Sequence, residues 1–283
     1  MLARRLPTIL PSLTREESLE VIKVHSVAGI IRTAPGAIAR PFRAPHHTIS
    51  DAGLIGGGPS PRPGEVSLAH HGVLFLDELP EFRRNVLEAL RQPLEDGYVT
   101  VARASASVVF PARFMVVAAM NPCPCGYHGD PRRRCSCSAD RIDKYRARIS
   151  GPLFDRFDVQ LAVANPTWHE LGGSDTGETS AAIQTRVQGA RQIQLDRYRN
   201  LIGVFANAHL SASQVKRWCP LDAVGARLLG RAAERLGLSA RAHGKVLRLA
   251  RTIADLAGAT EIRPADVAEA VQYRGLDRVR APG

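Results

Sequence analysis

The pattern of hydrophobic positions divides the chain into a mixed region and a helical region. Two continuous apolar runs, at Val73–Leu76 and Phe114–Met120, and a third apolar run at Val159–Val163, interrupted by Gln160, have the length of buried parallel strands. Apolar residues at helical spacing lie between the first two runs, over Phe82–Leu90. Because strand patterns alternate with helical ones, the sequence predicts a parallel α/β sheet with both faces covered.

The N-terminal part of the chain carries signals for helices, a loop and a hairpin. Apolar residues over Leu2–Leu10 predict a first helix, and a second begins at Thr14, whose hydroxyl can cap it while Glu17 reaches back. Residues 34–64 are rich in Pro and Gly and are predicted to form a long loop. Residues 98–110 are predicted to form a β-hairpin.

Strand patterns stop beyond Asn165. Residues 171–200 are predicted to form a Gly-rich linker and a connecting helix, and residues 201–283 carry helical patterns preceded by capping residues. The predicted organisation is therefore an α/β core over residues 1–170, a linker with one helix, and a C-terminal helical domain. A cysteine-containing loop is predicted within the core, at residues 121–138.

Composition narrows the class of protein. The 283 residues are long enough for two domains, and 45% of them are hydrophobic. No apolar run approaches the roughly 20 residues of a membrane helix, and the N-terminus lacks the pattern of a signal peptide. Five cysteines in a chain of this length do not indicate a disulfide framework. We therefore expect a cytoplasmic protein that does not cross a membrane.

The formal net charge of +11 has two explanations. A basic protein suits a polyanionic partner such as DNA, since neutralised phosphates supply most non-specific affinity for nucleic acid. However, only four of the 38 basic residues are lysine. A preference for Arg, Ala and Gly also follows from a GC-rich coding sequence, so charge alone leaves both explanations open.

Polar residues directly follow the first two apolar runs. Asp77 and Glu78 follow Val73–Leu76, and Asn121 follows the second run. Ligands of doubly wound sheets bind outside the carboxyl ends of the strands. There an aspartate can hold Mg²⁺, a glutamate can polarise a water, and an amide can contact a terminal phosphate. The alternatives are an acidic pair at a helix N-terminus and a turn residue before Pro122.

Arg156 lies just before the third apolar run, between Asp155 and Asp158. Its guanidinium can be paired locally. It can equally project toward a phosphate bound by a neighbouring subunit, as an arginine finger does.

The cysteines form two CxC pairs separated by nine residues: Cys123, Cys125, Cys135 and Cys137. Four thiolates at this spacing can enclose one tetrahedral Zn²⁺, and the segment between the pairs offers almost no apolar core of its own. The alternative is reduced thiols in a surface loop, since CxC is less diagnostic than CxxC.

Adjacent histidines occur at His46–His47 and at His70–His71. Neighbouring side chains on an extended segment point to opposite sides, so each pair is expected to supply at most one metal ligand. Structural roles are therefore favoured for both pairs. The fifth cysteine, Cys219, is isolated and is expected to be buried.

Six distinctive motifs occur along the chain: Arg40–Gly58, Gly72–Phe82, Met120–Gly126, Ser150–Asp158, Leu238–Arg241 and Ala250–Asp255. Together they closely resemble the ComM (YifB) subfamily of the magnesium-chelatase-like AAA+ ATPases, over essentially the whole chain. The resemblance implies an AAA+ P-loop-type core and a C-terminal α-helical lid. The first central strand and the phosphate-binding loop are missing from the core in this sequence.

The resemblance also implies roles for individual residues. By this resemblance the Walker B pair consists of Asp77, which is the Mg²⁺ ligand, and Glu78. Sensor 1 corresponds to Asn121, the arginine finger to Arg156 and sensor 2 to Arg241. The resemblance further implies ATP and Mg²⁺ as cofactors, a hexameric ring, and ATP-driven branch migration of DNA during integration of transforming DNA.

A Gly-x-x-x-x-Gly-Lys-Ser/Thr segment does not occur in the 283 residues. In the family a helix resembling Met1–Pro7 follows that segment, so this sequence starts just after the expected Lys-Thr. We therefore expect this chain alone not to hydrolyse ATP. Two other functions stay open: a chelatase-type ATPase that remodels a protein or metal-cofactor complex, and a truncated non-catalytic subunit that offers Arg156 to an intact neighbour.

Overall fold

The computed structural model of the protein describes residues 2–30, 38–58, 61–103, 106–164 and 177–274. Contacts divide these residues into two compact units with a boundary between Arg156 and Phe157, and the short segment Thr8–Pro11 belongs to the second unit. Among the described residues, no helix is both long and apolar enough to cross a membrane.

The first unit alternates short helices and strands. In chain order they are α1 (Arg15–Val27), β1 (Phe42–Arg43), α2 (Asp51–Ile55), β2 (Gly56–Gly57), β3 (Arg62–Pro63), α3 (Glu65–Leu68), β4 (Val73–Leu76), α4 (Arg84–Ala89), α5 (Arg91–Asp96), β5 (Tyr98–Arg103), β6 (Ala106–Pro111), β7 (Met115–Ala118), α6 (Ala139–Arg146) and α7 (Gly151–Phe154). Two 3₁₀ turns accompany them, at Leu2–Thr8 and Leu79–Glu81.

A parallel sheet in the order β1–β4–β7 forms the centre of this unit. Val73, Leu74 and Leu76 of β4 are fully buried, as a strand with neighbours on both edges and packing on both faces requires. The predicted α/β class with a parallel sheet is therefore confirmed.

Local signals in the first unit were accurate. β5 and β6 pair antiparallel over six residues each, as the predicted hairpin requires. α1 begins with a capping box in which the Glu17 N–H donates to the Thr14 hydroxyl at 3.1 Å and the Thr14 N–H donates to the Glu17 carboxylate at 2.9 Å. Both predictions are confirmed.

The predicted third strand is wrong. The residues of Val159–Val163 form no strand, and Leu161 and Val163 are 63% and 70% exposed. Among the described residues no strand pairs with this segment, whose Gln160 N–H donates instead to the Tyr273 carbonyl oxygen at 2.9 Å. An apolar run becomes a strand only where a neighbouring strand completes its hydrogen bonds.

Two further expectations need correction. The predicted loop over residues 34–64 contains β1, whose Phe42 and Arg43 pair in parallel with β4, and it also contains α2 and the short pair β2–β3. The first predicted helix is present, but as a 3₁₀ helix, Leu2–Thr8, with Pro7 inside it, and not as an α-helix. Proline lacks an N–H and disfavours continuation of an α-helix.

The second unit is helical. Its elements are α8 (Ser180–Tyr198), a 3₁₀ turn (Asn207–His209), α9 (Ala212–Trp218), α10 (Ala223–Leu236), α11 (Ala240–Leu256) and α12 (Pro264–Gln272). Side chains of Thr179, Ser211, Asp222 and Ser239 cap helices 8 to 11. The helical region predicted from the apolar patterns is thus confirmed, and Cys219 is buried in its core as expected.

A buried ionic network lies within this helical unit. The Asp255 carboxylate, whose side chain is inaccessible to solvent, accepts hydrogen bonds from Arg197, Arg251 and Asn207. Each donor to a buried charge must be present for the network to be stable. The network therefore fixes α11 against α8 and the Asn207–His209 turn.

Candidate functional site

The neighbouring parallel strands β4 and β7 end at the same edge of the sheet. Their pairing extends beyond β7, since the Ala119 N–H donates to the Leu76 carbonyl oxygen at 3.0 Å. Asp77 and Glu78 follow β4, and Asn121 follows this extension of β7. The structure thus brings three of the predicted site residues to one edge of the sheet.

Glu78 has an unusual backbone conformation for a non-glycine residue. Its φ of 53° and ψ of 46° lie in the left-handed region, a conformation that costs of the order of 1–3 kcal/mol and persists only where the surroundings impose it. The Asp77 carboxylate accepts the Glu78 N–H at 3.0 Å. The Glu78 side chain is 57% exposed, and its Oε2 lies 3.3 Å from His47 Nδ1. A carboxylate is therefore presented to solvent beside an imidazole.

The exposed acidic pair fits Mg²⁺ chemically. Asp77 and Glu78 offer carboxylate oxygens at an edge that water reaches. Magnesium prefers oxygen ligands and keeps several of its waters, so one or two accessible carboxylates suffice. This arrangement can hold a hydrated cation at Asp77 and leave Glu78 free to accept a proton.

His47 is a component of this site that the sequence did not indicate. Its ring contacts Glu78 and also meets the Phe82 ring edge-on, with centroids 6.3 Å apart. The only signal was its place in a Pro- and Gly-rich segment, and adjacency to His46 suggested merely a structural role.

Asn121 is exposed and lies on a short segment that helix α6 holds from the other side. Its backbone hydrogen-bonds the Tyr145 hydroxyl, and the Arg146 guanidinium donates twice to the Pro122 carbonyl oxygen, at 3.2 and 3.3 Å. Burial, and next the Glu81 carboxylate, raise the pKa of Tyr145, so the hydroxyl stays protonated. The amide is therefore carried by a segment with partners on both sides.

The two arginines of the predicted site have different surroundings. The Arg156 guanidinium donates to the Glu95 carboxylate on α5 and to the Pro152 carbonyl oxygen, and its side chain is only 8% exposed. It is therefore locally paired in this chain. Arg241 is exposed in the first turn of α11, in the second unit. Their roles toward a nucleotide stay predictions.

The four cysteines of the two CxC pairs meet at one point. Their sulfur atoms all lie within 4.8 Å of one another. Cys123 Sγ lies 3.3 Å from Cys125 Sγ and 3.7 Å from Cys135 Sγ, and the Cys137 N–H donates to Cys135 Sγ at 3.4 Å. We define these four residues as the cysteine cluster.

Cysteines of this cluster have pKa values shifted from that of an ordinary thiol. The Tyr127 N–H, followed by the Ser136 N–H, stabilises the Cys125 thiolate and lowers its pKa to about 5. The Cys137 N–H stabilises the Cys135 thiolate too, but burial and the neighbouring sulfur atoms outweigh it and raise the Cys135 pKa to about 12. Crowded sulfur atoms thus oppose ionisation of all four groups together.

For His70–His71 the expected opposite orientation of the two side chains is wrong, although the structural role favoured for the pair agrees with the hydrogen bonds. Both Nε2 atoms face the same oxygen of Glu20, at 3.0 Å from His70 and 2.6 Å from His71. The reason is the backbone: His71 has a φ of 55°, so the segment is not extended and the side chains do not alternate. The rings lie with centroids 3.9 Å apart.

The hydrogen bonds of His70 decide whether Glu20, His70 and His71 can bind a metal ion. The Arg113 N–H donates to His70 Nδ1 at 3.0 Å, so that nitrogen is an acceptor and the proton must be on Nε2. Nε2 therefore donates to Glu20 and offers no lone pair to a metal ion. Although Glu20, His70 and His71 lie close enough to hold a cation, this tautomer makes them a hydrogen-bonded clamp between α1 and the start of β4.

The fold and the residues at the sheet edge define an α/β protein of the AAA+ type with a helical C-terminal region. The family model for "Magnesium chelatase, subunit ChlI" matches residues 1–171, and that for "Magnesium chelatase, subunit ChlI C-terminal" matches residues 177–274. The chain belongs to this magnesium chelatase family.

Curated relatives place the chain close to ComM. Competence protein ComM of Haemophilus influenzae is 45% identical over 280 residues, which cover 99% of this chain and 54% of ComM. YifB of Escherichia coli is 42% identical over the same length, with the same two shares. Magnesium-chelatase subunit ChlI of Bigelowiella natans matches only 69 residues, at 33% identity, or 24% of this chain and 19% of ChlI. The chain spans about half the length of the ComM and YifB relatives, and the resemblance to the ComM subfamily is confirmed.

Proposed function

We propose that this chain carries the hydrolytic edge and lid of an ATP-driven motor that remodels DNA, as the similarity to ComM suggests. The observation that carries the proposal is the convergence of Asp77, Glu78 and Asn121 at the carboxyl ends of two paired parallel strands. This is the edge at which α/β sheets bind their ligands.

Each residue has a proposed task. Asp77 holds hydrated Mg²⁺, which offsets phosphate charge in such sites, and Glu78 accepts a proton from the attacking water. Asn121 donates from its amide to a terminal phosphate oxygen. Arg241 is the proposed lid residue that contacts the same nucleotide.

A complete phosphate site needs more than these residues. The Gly-rich loop and lysine that bind phosphates in P-loop proteins do not occur in this sequence. The proposal therefore concerns the full-length protein, in which another stretch of polypeptide supplies them. We expect the 283 residues alone to have no ATPase activity.

Arg156 is proposed to act on a nucleotide bound by the adjacent subunit of a ring. The family commonly oligomerises, and a hexamer is the form we propose. Since Arg156 is paired with Glu95 in a single chain, reaching a neighbour requires exchange of that partner. The Glu95 pair is thus the contact that assembly must release.

DNA is the proposed partner on two grounds. The net charge of +11 suits a polyanion, and the most similar relatives named here include a competence protein. The second candidate is a chelatase-type motor that remodels a protein or metal-cofactor complex, which the family's description favours.

A zinc ion is the proposed occupant of the cysteine cluster. Thiolate sulfurs suit Zn²⁺, and four of them close its coordination shell, which is typical of structural rather than catalytic sites. We therefore assign this metal to the structure of the loop and not to direct contact with the nucleotide.

The test uses the full-length protein, assayed for ATP turnover with and without Mg²⁺ and for unwinding of forked DNA. Asp77→Asn is expected to lower turnover at least 100-fold and abolish unwinding, whereas Asp96→Asn, an exposed aspartate at the end of α5, changes neither. Turnover without unwinding would favour the chelatase-type function. Turnover that survives Asp77→Asn would refute the proposed site.

A further inference from the structure

The segment 121–138 has almost no apolar burial to hold it in place, and side-chain hydrogen bonds among its turn residues lie exposed to solvent. Of its eighteen residues only Cys123 is buried, and no helix or strand occurs within it. Gly126 and Gly129 have positive φ, and a Cβ atom added at either position would meet no heavy atom within 4 Å apart from those of its own chain neighbours. A segment this long without apolar burial is ordered only if something else ties it.

The sulfur positions match one tetrahedral metal ion. With metal–sulfur bonds of about 2.3 Å, the edges of an S₄ tetrahedron are about 3.8 Å. The separations of 3.3, 3.5 and 3.7 Å among Cys123, Cys125 and Cys135 approach that edge. They are far longer than the roughly 2.05 Å of a disulfide bond. Backbone N–H groups that point at Cys125 and Cys135 add the hydrogen bonds that bound thiolates accept.

The cluster lies directly beside a residue of the proposed nucleotide site. Asn121 and Cys123 are two residues apart, which allows at most about 7 Å between their Cα atoms. On the N-terminal side of Asn121, the Ala119 N–H is hydrogen-bonded to the Leu76 carbonyl oxygen of β4. Cys123, at 0% exposure, is therefore the second anchor of the short span that carries the Asn121 amide.

We propose that Zn²⁺ bound by Cys123, Cys125, Cys135 and Cys137 positions Asn121, so that occupancy of the metal site controls ATP turnover. This inference rests on the proposed function of Asn121. The cysteines are positioning residues, which act through the amide and do not touch the nucleotide. A displacement of about 1 Å at such an amide can cost on the order of 100-fold in rate.

The experiment compares three forms of the full-length protein: wild type, the double variant Cys135→Ser with Cys137→Ser, and Cys219→Ala. The double variant removes two ligands from the exposed side of the loop and keeps buried Cys123. Cys219→Ala is the matched control, because that cysteine belongs to the core of the helical unit and is not a member of the cluster. We expect one zinc per chain in wild type and control and none in the double variant. Cobalt substituted into wild type is expected to give the intense absorption of a tetrahedral S₄ site.

Turnover then tests the coupling to Asn121. The double variant is expected to lower kcat 10- to 100-fold with KM for ATP changed less than threefold. Adding Asn121→Ala to the double variant is expected to lower kcat no further, because both changes remove the same interaction. Hydrogen exchange is expected to rise at residues 119–125 and to stay unchanged in the helical unit. Removal of zinc by a chelator, followed by its return, is expected to reproduce and reverse these changes.

Failure of each proposal has a separate signature. An inactive wild type overturns the proposed function, and zinc content with hydrogen exchange then decides the inference. Absence of bound metal from wild type overturns the inference. So does an active wild type whose metal-free double variant keeps its kcat and its exchange pattern at residues 119–125.

Discussion

A non-glycine residue with a left-handed backbone lies at each end of β4, and the two residues differ in their surroundings. His71, just before the strand, and Glu78, just after it, have φ values of 55° and 53°, and no other non-glycine residue among those described has a positive φ. His71 is 7% exposed, whereas the Glu78 side chain is 57% exposed. One left-handed residue is therefore enclosed and the other is presented to water.

Hydrogen bonds account for the strain at the first end. The His71 N–H donates to the Arg113 carbonyl oxygen at 2.6 Å, the His71 carbonyl oxygen accepts from Arg40 at 2.7 Å, and the ring bonds Glu20. This conformation is imposed by its surroundings and serves stability. At Glu78 the side chain has one contact in the site, His47, at 3.3 Å. Strain kept at an exposed carboxylate fits the role in hydrolysis that we propose for Glu78.

The largest expected contrast comes from making the same change, carboxylate to amide, at each end. Glu78→Gln in the full-length protein is expected to lower ATP turnover about 1000-fold, since an amide cannot accept the proton, while stability changes by less than about 0.5 kcal/mol. Glu20→Gln is expected to cost about 1–3 kcal/mol of stability, because the amide oxygen that replaces the charged carboxylate accepts hydrogen bonds from the two imidazoles more weakly, and to leave turnover intact.

ATP turnover and urea unfolding of both variants provide the measurements. The comparison fails if Glu20→Gln impairs turnover as strongly as Glu78→Gln, or if Glu78→Gln unfolds the protein.

Acidification is expected to weaken the first end. Burial and the neighbouring His71 lower the pKa of His70 to about 4 in the folded protein, with Glu20 and Arg113 also facing it. The unfolded chain binds this proton near pH 6.5, so stability present above that pH is lost as the pH falls toward 4. The loss approaches about 3 kcal/mol. The pKa of Glu20 is also lowered, because hydrogen bonds from both histidines outweigh its partial burial, and this adds a loss of the same sign at still lower pH.

Urea unfolding between pH 7.5 and 4.5 measures this dependence. His70→Gln keeps a donor for Glu20 and removes the titration, so it should flatten the curve. An equally steep curve in that variant would assign the pH dependence to other groups.

The sequence predicted what depends on local pattern. β4 and β7 were readable because both are continuous apolar runs, the Thr14–Glu17 box because its spacing is fixed, and the helices of the second unit because their apolar faces repeat. The edge formed by Asp77, Glu78 and Asn121 followed from the rule that parallel strands end together. These features involve neighbours in sequence or a general property of sheets.

What the sequence did not reveal depends on distant partners. β1 has two residues and no periodicity, so only its pairing with β4 defines it. The Glu20 clamp joins residues 50 positions apart and requires a left-handed His71, which no pattern encodes. At Val159–Val163 the prediction failed in the opposite way: the apolar pattern predicted a strand, but no partner strand pairs with this segment among the described residues.

A smaller effect on stability is expected when the ring of His71 is removed and its left-handed backbone is kept. His71→Asn keeps a residue that tolerates positive φ and removes the ring bond to Glu20. We expect a loss of about 1–2 kcal/mol in urea unfolding. His46→Asn is the control: His46 is exposed, its Nδ1 hydrogen-bonds Thr48, and its ring lies against the His47 ring. We expect it to change stability by less than about 0.5 kcal/mol. A loss at His46 as large as that at His71 would mean that enclosure does not distinguish the two sites.

The smallest expected effect tests the strain itself. Glu78→Gly removes the steric cost of the left-handed conformation, against the extra freedom that glycine gains in the unfolded chain, so a net gain of about 0.5–1 kcal/mol in stability is expected. The same variant loses the carboxylate and should lose turnover as Glu78→Gln does. His71→Gly relieves the same backbone but removes the ring, and its net effect should be destabilising. If Glu78→Gly instead destabilises the protein, the conformation of Glu78 is held by packing as that of His71 is, and the two ends of β4 do not differ in kind.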